Sequence, residues 1–324
     1  MRVLVTGASG LLGGGVARAL AERGDDVTVF QRRPSGLPVR EVLGDVTDAD
    51  AVRGAAARVD AVVHLAARVS MTGAWALFEA ANVRGTAHVV EAARGAGASR
   101  FVQVSSPSVA HAGRSLVGAP AGPADPEHAR GPYARSKARA ERLALAADAP
   151  GFAVVAVRPH LVWGPGDTQL VGPIVERARR GRLALVGGGT ALIDTTYLDN
   201  AVAAIVAGLD RADDAHGQAL VVSNGEPRTV RETVARICAA AGVPAPRRSV
   251  PFPVARAAGA AAEAAWRLLR RTDEPPMTRF LAEQLATAHW FDQRRTREAL
   301  GWQPTVSLDE GFERLASWYR SGAR

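Results

Sequence analysis

The sequence predicts an α/β fold, a doubly wound parallel sheet followed by a smaller C-terminal lobe. Three observations carry this prediction. Short continuous Val/Leu runs alternate with amphipathic segments through the first half, the pattern of parallel strands covered on both faces by helices. A glycine-rich turn joins the first run to the first amphipathic segment. Hydrophobic residues make up 47% of the 324 and charged ones 22%, the balance of a chain that buries a sizeable core.

The elements follow in order. Arg2–Thr6 reads as a strand and residues 11–23 as a helix with Leu12, Val16 and Leu20 on one face. Residues 27–30, 41–43 and 61–65 are the next strands, with a helix opening near Asp48 between the last two. Residues 82–96 read as helix, 101–104 as strand, 133–146 as helix and 153–157 as strand. Beyond about residue 160 the pattern loosens, with loops at Gly164-Pro-Gly-Asp167 and Gly187-Gly-Gly189. Residues 220–223 are placed to rejoin the sheet. The proline-rich stretch 244–276 shows no strand pattern and is expected to cap a pocket; an amphipathic helix closes the chain.

Composition excludes several function classes. Cys238 is the only cysteine, so no internal disulfide forms. The N-terminus has no signal-peptide pattern, and the apolar stretch 254–269 is broken by Arg256, Glu263 and Arg267. A cytoplasmic chain with no integral membrane segment is expected, its 250–270 segment covering a greasy pocket or lying on a membrane surface. The net charge of +8 raises nucleic acid, yet no Lys/Arg run exceeds two residues and no C-x-x-C occurs. The seven histidines, His64, His88, His111 and His160 among them, form no metal-binding pair. Neither nucleic acid nor a metal is expected.

Thr6-Gly-Ala-Ser-Gly-Leu-Leu-Gly13 puts glycines at 7, 10 and 13 between strand and helix. There the chain must turn tightly, admit a pyrophosphate to its backbone and pack helix on strand. Gly7, Ser9, Gly10, Leu11, Leu12 and Gly13 are therefore cofactor-binding candidates, with the helix N-terminus facing the phosphates. The next strand ends Phe30-Gln31-Arg32-Arg33, without the carboxylate that would bind a ribose 2′-hydroxyl. Arg32 and Arg33 can pair with a 2′-phosphate, so NADP(H) is preferred over NAD(H); the bland alternative is two solvated arginines.

Of the 40 basic residues 39 are Arg, and the one lysine, Lys137, stands four residues after Tyr133 in a helix start. That spacing puts both side chains on one face. An ammonium beside a phenol favours the phenolate, so the Tyr133 pKa is expected to fall toward the range of an acid–base catalyst.

With T-G-x-x-G-x-x-G and Y-x-x-x-K in place, the whole chain resembles the extended short-chain dehydrogenase/reductases. That resemblance implies a Rossmann-type dinucleotide-binding domain over 1–164, rejoined by about 194–224, and a substrate-binding lobe with a C-terminal cap over 165–324. It implies adenine contacts from Asp45 and Val46, and nicotinamide-ribose contacts from Leu65, Ala66 and Ala67 after His64. Tyr133 would donate the proton, Lys137 would also anchor the ribose, and Asn82 would serve structure or relay. Of the serines at 105, 106 and 108, Ser106 aligns as the hydroxyl that holds the reacting oxygen, with Ser108 as runner-up and Ser105 facing cofactor or core. Pro159 and His160 fall where relatives contact cofactor or substrate, and Arg158 where a strand end needs structural support.

Residues 157–167 and 192–200 look like the 3β-hydroxysteroid dehydrogenase branch, and closest to the bacterial 2-alkyl-3-oxoalkanoate reductases of long-chain olefin biosynthesis. The Ala-His-Ala-Gly run at 110–113 departs from the sugar-nucleotide epimerases. The resemblance implies NADPH-dependent reduction of a ketone on a large apolar substrate, a 2-alkyl-3-oxoalkanoate becoming the 2-alkyl-3-hydroxyalkanoate. Alternatives are a 3β-hydroxysteroid or sterol dehydrogenase, a dihydroflavonol-type ketone reductase, and a non-catalytic dinucleotide-sensing regulator. The partner is a small apolar ketone; a homodimer or a complex with a pathway enzyme stays open.

Overall fold

The structure, a computed structural model, describes residues 1–324 apart from Met71, His111, Ala112, Arg270, Thr272, Glu274, Ala323 and Arg324. The first Val/Leu run forms β1 (Arg2–Thr6), and the glycine turn leads into α1 (Leu11–Glu22). Next come β2 (Asp26–Gln31), β3 (Arg40–Leu43), α2 (Ala49–Ala55) and β4 (Ala61–His64). Asp48 caps α2 by accepting from the Asp50 and Ala51 N–H groups. The segment read as one helix from Asn82 is composite. α3 (Trp75–Phe78) runs into a π-helical turn, Glu79–Arg84, and then α4 (Gly85–Gly95). β5 (Arg100–Val104), a 3₁₀ turn at Pro107–Ala110, β6 (Leu116–Ala119), α5 (Gly131–Leu145) and β7 (Ala153–Pro159) complete the first half.

The second half has shorter strands. It holds β8 (Val162–Trp163), α6 (Val171–Arg179), β9 (Ala184–Val186), β10 (Leu192–Ile193) and β11 (Thr196–Tyr197). Helices α7 (Leu198–Asp210) and α8 (Ala212–Ala215) lead to β12 (Ala219–Val222) and β13 (Arg228–Thr229). The chain finishes with α9 (Val230–Ala240), β14 (Arg248–Val250), α10 (Phe252–Leu268), α11 (Arg279–Ala286), β15 (His289–Phe291), α12 (Arg294–Leu300) and α13 (Leu308–Arg320).

Seven parallel strands form the central sheet in the order β12-β7-β5-β4-β1-β2-β3. The order reverses between β1 and β4, and the crevice at that switch point is where such sheets take ligands. Side chains alternate across the sheet. Val3 and Val5 pack with Val16 and Leu20 of α1 and Ile205 of α7, while Leu4 packs oppositely with Phe101, Val89 and Val154. Every β1 residue from Val3 to Val5 is fully buried, which is why this strand reads as unbroken aliphatic sequence.

The stretch 244–276, read as strand-free, contains β14, which pairs with β9 over three residues. Three residues with no alternation give no periodic signal, and only the partner strand makes them a strand. Between 192 and 200 the chain clamps the C-terminal segment to the sheet. Asn200 donates to the Val306 carbonyl at 2.7 Å and accepts from the Thr305 and Val306 N–H groups. Asp194 accepts from Ser223 Oγ and from the Gly225 and Glu226 N–H groups.

Arg158 sits on β7, fully buried, and its guanidinium meets Glu141 of α5 in a two-pronged ion pair at 2.8 and 2.5 Å. Its remaining donors reach the Ala121 and Gly122 carbonyls. Removing one member of such a pair strands a buried charge. Glu141→Gln should lower the unfolding free energy by about 3 kcal/mol, read in urea titrations as a lower midpoint with an unaltered slope; a midpoint within error of wild type would contradict this.

Candidate active site

The end of β1 leaves no room for side chains. Gly7 has φ +80°, and a Cβ there would stand 2.8 Å from the Ala66 nitrogen. On Gly13 a Cβ would be 2.4 Å from the Gly7 carbonyl oxygen. Glycine is thus forced at both positions, by backbone conformation at the first and by helix–strand approach at the second. α1 begins at Gly10 without a side-chain cap, so its first N–H groups open onto the crevice.

Across the switch point, the end of β4 is braced by one neutral histidine. Thr86 Oγ1 donates to the Asn82 carbonyl at 2.7 Å, so it accepts from His64 Nε2 at 3.0 Å. With its proton on Nε2, the neutral ring accepts at Nδ1 from Thr6 Oγ1 at 2.7 Å, and Thr6 Oγ1 also accepts from the Ala66 N–H. Full burial and the nearby Lys137 charge push the His64 pKa down to about 3. His64 is thereby held as one tautomer, and it fixes the backbone of Ala66 in the crevice.

Ser106, Tyr133 and Lys137 meet from two elements. Ser106 follows β5 and lies 3.0 Å, oxygen to oxygen, from Ser108. Tyr133 and Lys137 come from α5, whose start is fixed by Gly131 and Pro132. Burial pushes the Tyr133 phenol up to about 12, against a smaller lowering from the nearby Ser106 hydroxyl. This corrects the expectation of a lowered pKa. Lys137 Nζ donates to the Val104 carbonyl at 2.5 Å, and burial brings its own pKa down to about 8. Desolvation is the leading cause of both shifts. Ser105 is buried as well, its Oγ without a hydrogen-bond partner.

Asn82, in the π-helical turn, ties α5 to the loop after β4. Its side chain donates to Ser136 Oγ at 2.8 Å and to the Arg68 carbonyl at 3.1 Å, and accepts from the Arg68 N–H at 2.6 Å. Ser136 in turn donates to the Tyr133 carbonyl. Such π-turns concentrate at functional sites because they re-aim one side chain out of helical register.

All the residues named above for cofactor and chemistry line one cleft of about 2640 Å³. Arg32 and Arg33 line it beyond the end of β2, where exposed Arg32 stands 3.9 Å from the Asp45 carboxylate. Asp45 accepts from the Thr47 N–H, and Val46 is buried beside it. Pro159 and His160 line the far side, and the His160 ring meets His289 and Phe291 edge-on. His160 Nδ1 donates to the Asp194 carbonyl, so the ring both borders the cleft and packs.

The cover of the cleft differs from expectation. Pro275, Met277, Phe280, Leu281 and Leu285 line it, whereas no residue of α10 does. α10 forms a second layer, because a Cβ on Gly259 would lie 2.6 Å from the Thr278 carbonyl carbon and the small side chains let it approach that closely. Val254, Leu268 and Leu269 remain exposed, and among the described residues no helix is long and apolar enough to cross a membrane. Of the run at 110–113, His111 and Ala112 lie outside the described residues.

The residues fit a dinucleotide. Two backbone approaches leave no space for a Cβ, the helix start is uncapped, and the cleft far exceeds the ~300–1,000 Å³ typical of one small ligand. Fold and cleft define a Rossmann-type NAD(P)-binding oxidoreductase. The chain belongs to the NAD dependent epimerase/dehydratase family, which matches residues 3–223. It is 44% identical to the 2-alkyl-3-oxoalkanoate reductase of Stenotrophomonas maltophilia, over 97% of this chain and 98% of that one. Identity to the protein of the same name from Shewanella oneidensis is 36%, over 96% and 84%. The 3 beta-hydroxysteroid dehydrogenase/Delta 5-->4-isomerase of Mycobacterium tuberculosis is 31% identical over 99% and 90%. Among solved structures, MoeE5 in complex with UDP-glucose and NAD superposes with a TM-score of 0.76 at 25% identity, over 100% of both chains.

His64 makes stability pH-dependent. Its unfolded-state pKa is the ordinary 6.5 and its folded one about 3, so the unfolded chain binds the extra proton between them. The contribution is complete above pH 6.5 and lost as pH falls toward about 3, with a slope of up to ~1.4 kcal/mol per pH unit. Urea unfolding across that window should show His64→Gln with a shallower pH dependence than wild type; parallel curves would refute it.

Proposed function

We propose that the protein reduces the ketone of a 2-alkyl-3-oxoalkanoate to the corresponding 2-alkyl-3-hydroxyalkanoate with NADPH. What carries the reading is the meeting of Ser106, Tyr133 and Lys137 with the glycine cradle in a single cleft whose outer wall is apolar. The likeness to two 2-alkyl-3-oxoalkanoate reductases supports the substrate class. In this reading residues 1–164 with about 194–224 bind the dinucleotide, and 165–324 supply the substrate lobe.

NADPH, when bound, supplies a hydride to the carbonyl carbon. Tyr133 transfers its phenolic proton to the carbonyl oxygen, so ketone, hydride and proton balance as the alcohol. A phenol that keeps its proton up to about 12 enters the reaction as an acid, the form that reduction requires. Ser106, close to Tyr133, holds the same oxygen in line with the donor. The Lys137 ammonium stabilises the phenolate left behind and binds the ribose. Arg32 and Arg33 pair with the 2′-phosphate, the exposed Arg32 exchanging its long contact with Asp45 for a stronger one.

Tyr133→Phe should retain NADPH binding, followed by fluorescence, and lose at least about 1,000-fold in kcat; wild-type turnover would exclude the role. The assay offers NADPH with a 2-alkyl-3-oxo acid, a 3-oxosteroid and an aromatic ketone, and turnover of the steroid alone would favour the second reading, to which the 31% identical steroid dehydrogenase points. Arg32→Ala should raise the KM for NADPH about 10-fold and leave NADH within about twofold; equal losses for the two cofactors would contradict the 2′-phosphate assignment.

A further inference from the structure

Among the described residues ten arginines line the cleft, and eight of them are exposed. The other two are Arg177, which donates to the Pro276 carbonyl at 3.2 Å, and Arg68. Arg68 Nε is buried without a hydrogen-bond partner. Its guanidinium carbon lies 5.3 Å from the centre of the buried Phe78 ring. The backbone on either side is clamped, since Asn82 bonds both the N–H and the carbonyl of Arg68. A protein that stacks an arginine on an aromatic ring and pins its backbone holds the guanidinium's terminal nitrogens pre-organised for a planar anion.

The position selects which anion. The phosphate cradle is at Gly7–Gly13, whereas Arg68 follows β4 and is joined through Asn82 and Ser136 to the carbonyl of Tyr133. In a 3-oxo acid the carboxylate stands two bonds along the chain from the ketone carbon. Arg68 and Tyr133 line the same cleft, so a cation there can meet the carboxylate of a substrate whose ketone is reduced at Tyr133. We propose that Arg68, which lines the cleft, binds the substrate carboxylate through its two terminal nitrogens, making the site selective for a free 3-oxo acid over its neutral ester. This rests on the 2-alkyl-3-oxoalkanoate reading. Once the acid is bound, the guanidinium gains an anionic partner in the cleft; with an ester or a steroid it gains none, which penalises those substrates.

The test compares a freshly saponified 2-alkyl-3-oxo acid with its methyl ester as substrates for NADPH oxidation by wild type, Arg68→Met and Arg68→Lys. Wild type should favour the acid. Arg68→Met should lower kcat/KM for the acid by about 10- to 100-fold, mainly through KM, and for the ester by less than about threefold. Arg68→Lys should recover part of the acid activity. NADPH affinity, from fluorescence titration, and the thermal midpoint control for cofactor contact and folding. Equal losses on acid and ester would overturn the proposal, as would lost NADPH affinity at a constant acid-to-ester ratio, which would give Arg68 to the cofactor phosphates. A wild type that reduces the steroid and neither acid nor ester refutes the substrate reading and the proposal with it; one that reduces the acid, with Arg68→Met unimpaired, refutes Arg68 alone.

Discussion

Helix α1 meets the end of β1 so closely that a Cβ on Gly13 would stand 2.4 Å from the Gly7 oxygen, and one on Gly7 would strike the backbone of Ala66. Everything at the site is referenced to that contact. It brings the uncapped helix start to the switch point, and it sets the chain after β4 against the glycine turn. The neutral His64 then locks this arrangement from beneath, spanning Thr6 on β1 and Thr86 on α4. Cofactor cradle and sheet register are consequently one construction, and neither changes without the other.

Burial governs the electrostatics above this floor. Tyr133 is pushed up to about 12, Lys137 down to about 8 and His64 down to about 3, each first by desolvation. The lysine acts on its neighbours from a place where its own charge is costly. That explains its identity in a chain with 39 arginines. A compact ammonium meets the Val104 carbonyl in a pocket that leaves Lys137 only 4% exposed, whereas a guanidinium would bring five donors into it.

Buried polar groups tie the C-terminal segments to the sheet alongside the apolar core that Leu300 and Trp302 join. Asp194 and Asn200, in the segment that most resembled relatives, bond backbone of residues 225–226 and 305–306. The cleft wall on this side comes from residues 275–285. α10, rich in alanine, is the layer behind them.

The sequence by itself determined the parallel sheet, the glycine cradle and the Tyr133–Lys137 pair, because each is encoded locally. A strand buried on both faces must be aliphatic throughout, a backbone collision admits only glycine, and i,i+4 spacing fixes two side chains on one helix face. What required tertiary structure was whatever depends on partners distant in sequence. The three-residue strand β14 exists through β9, the phenol's pKa is set by what buries it, and the cleft cover depends on which face of the 250–286 hairpin of helices turns inward. Arg68 was invisible for the same reason. Among 39 arginines nothing marks one in sequence, and only Asn82 and Phe78, both from the following helical turns, set it apart by clamping its backbone and stacking on its guanidinium.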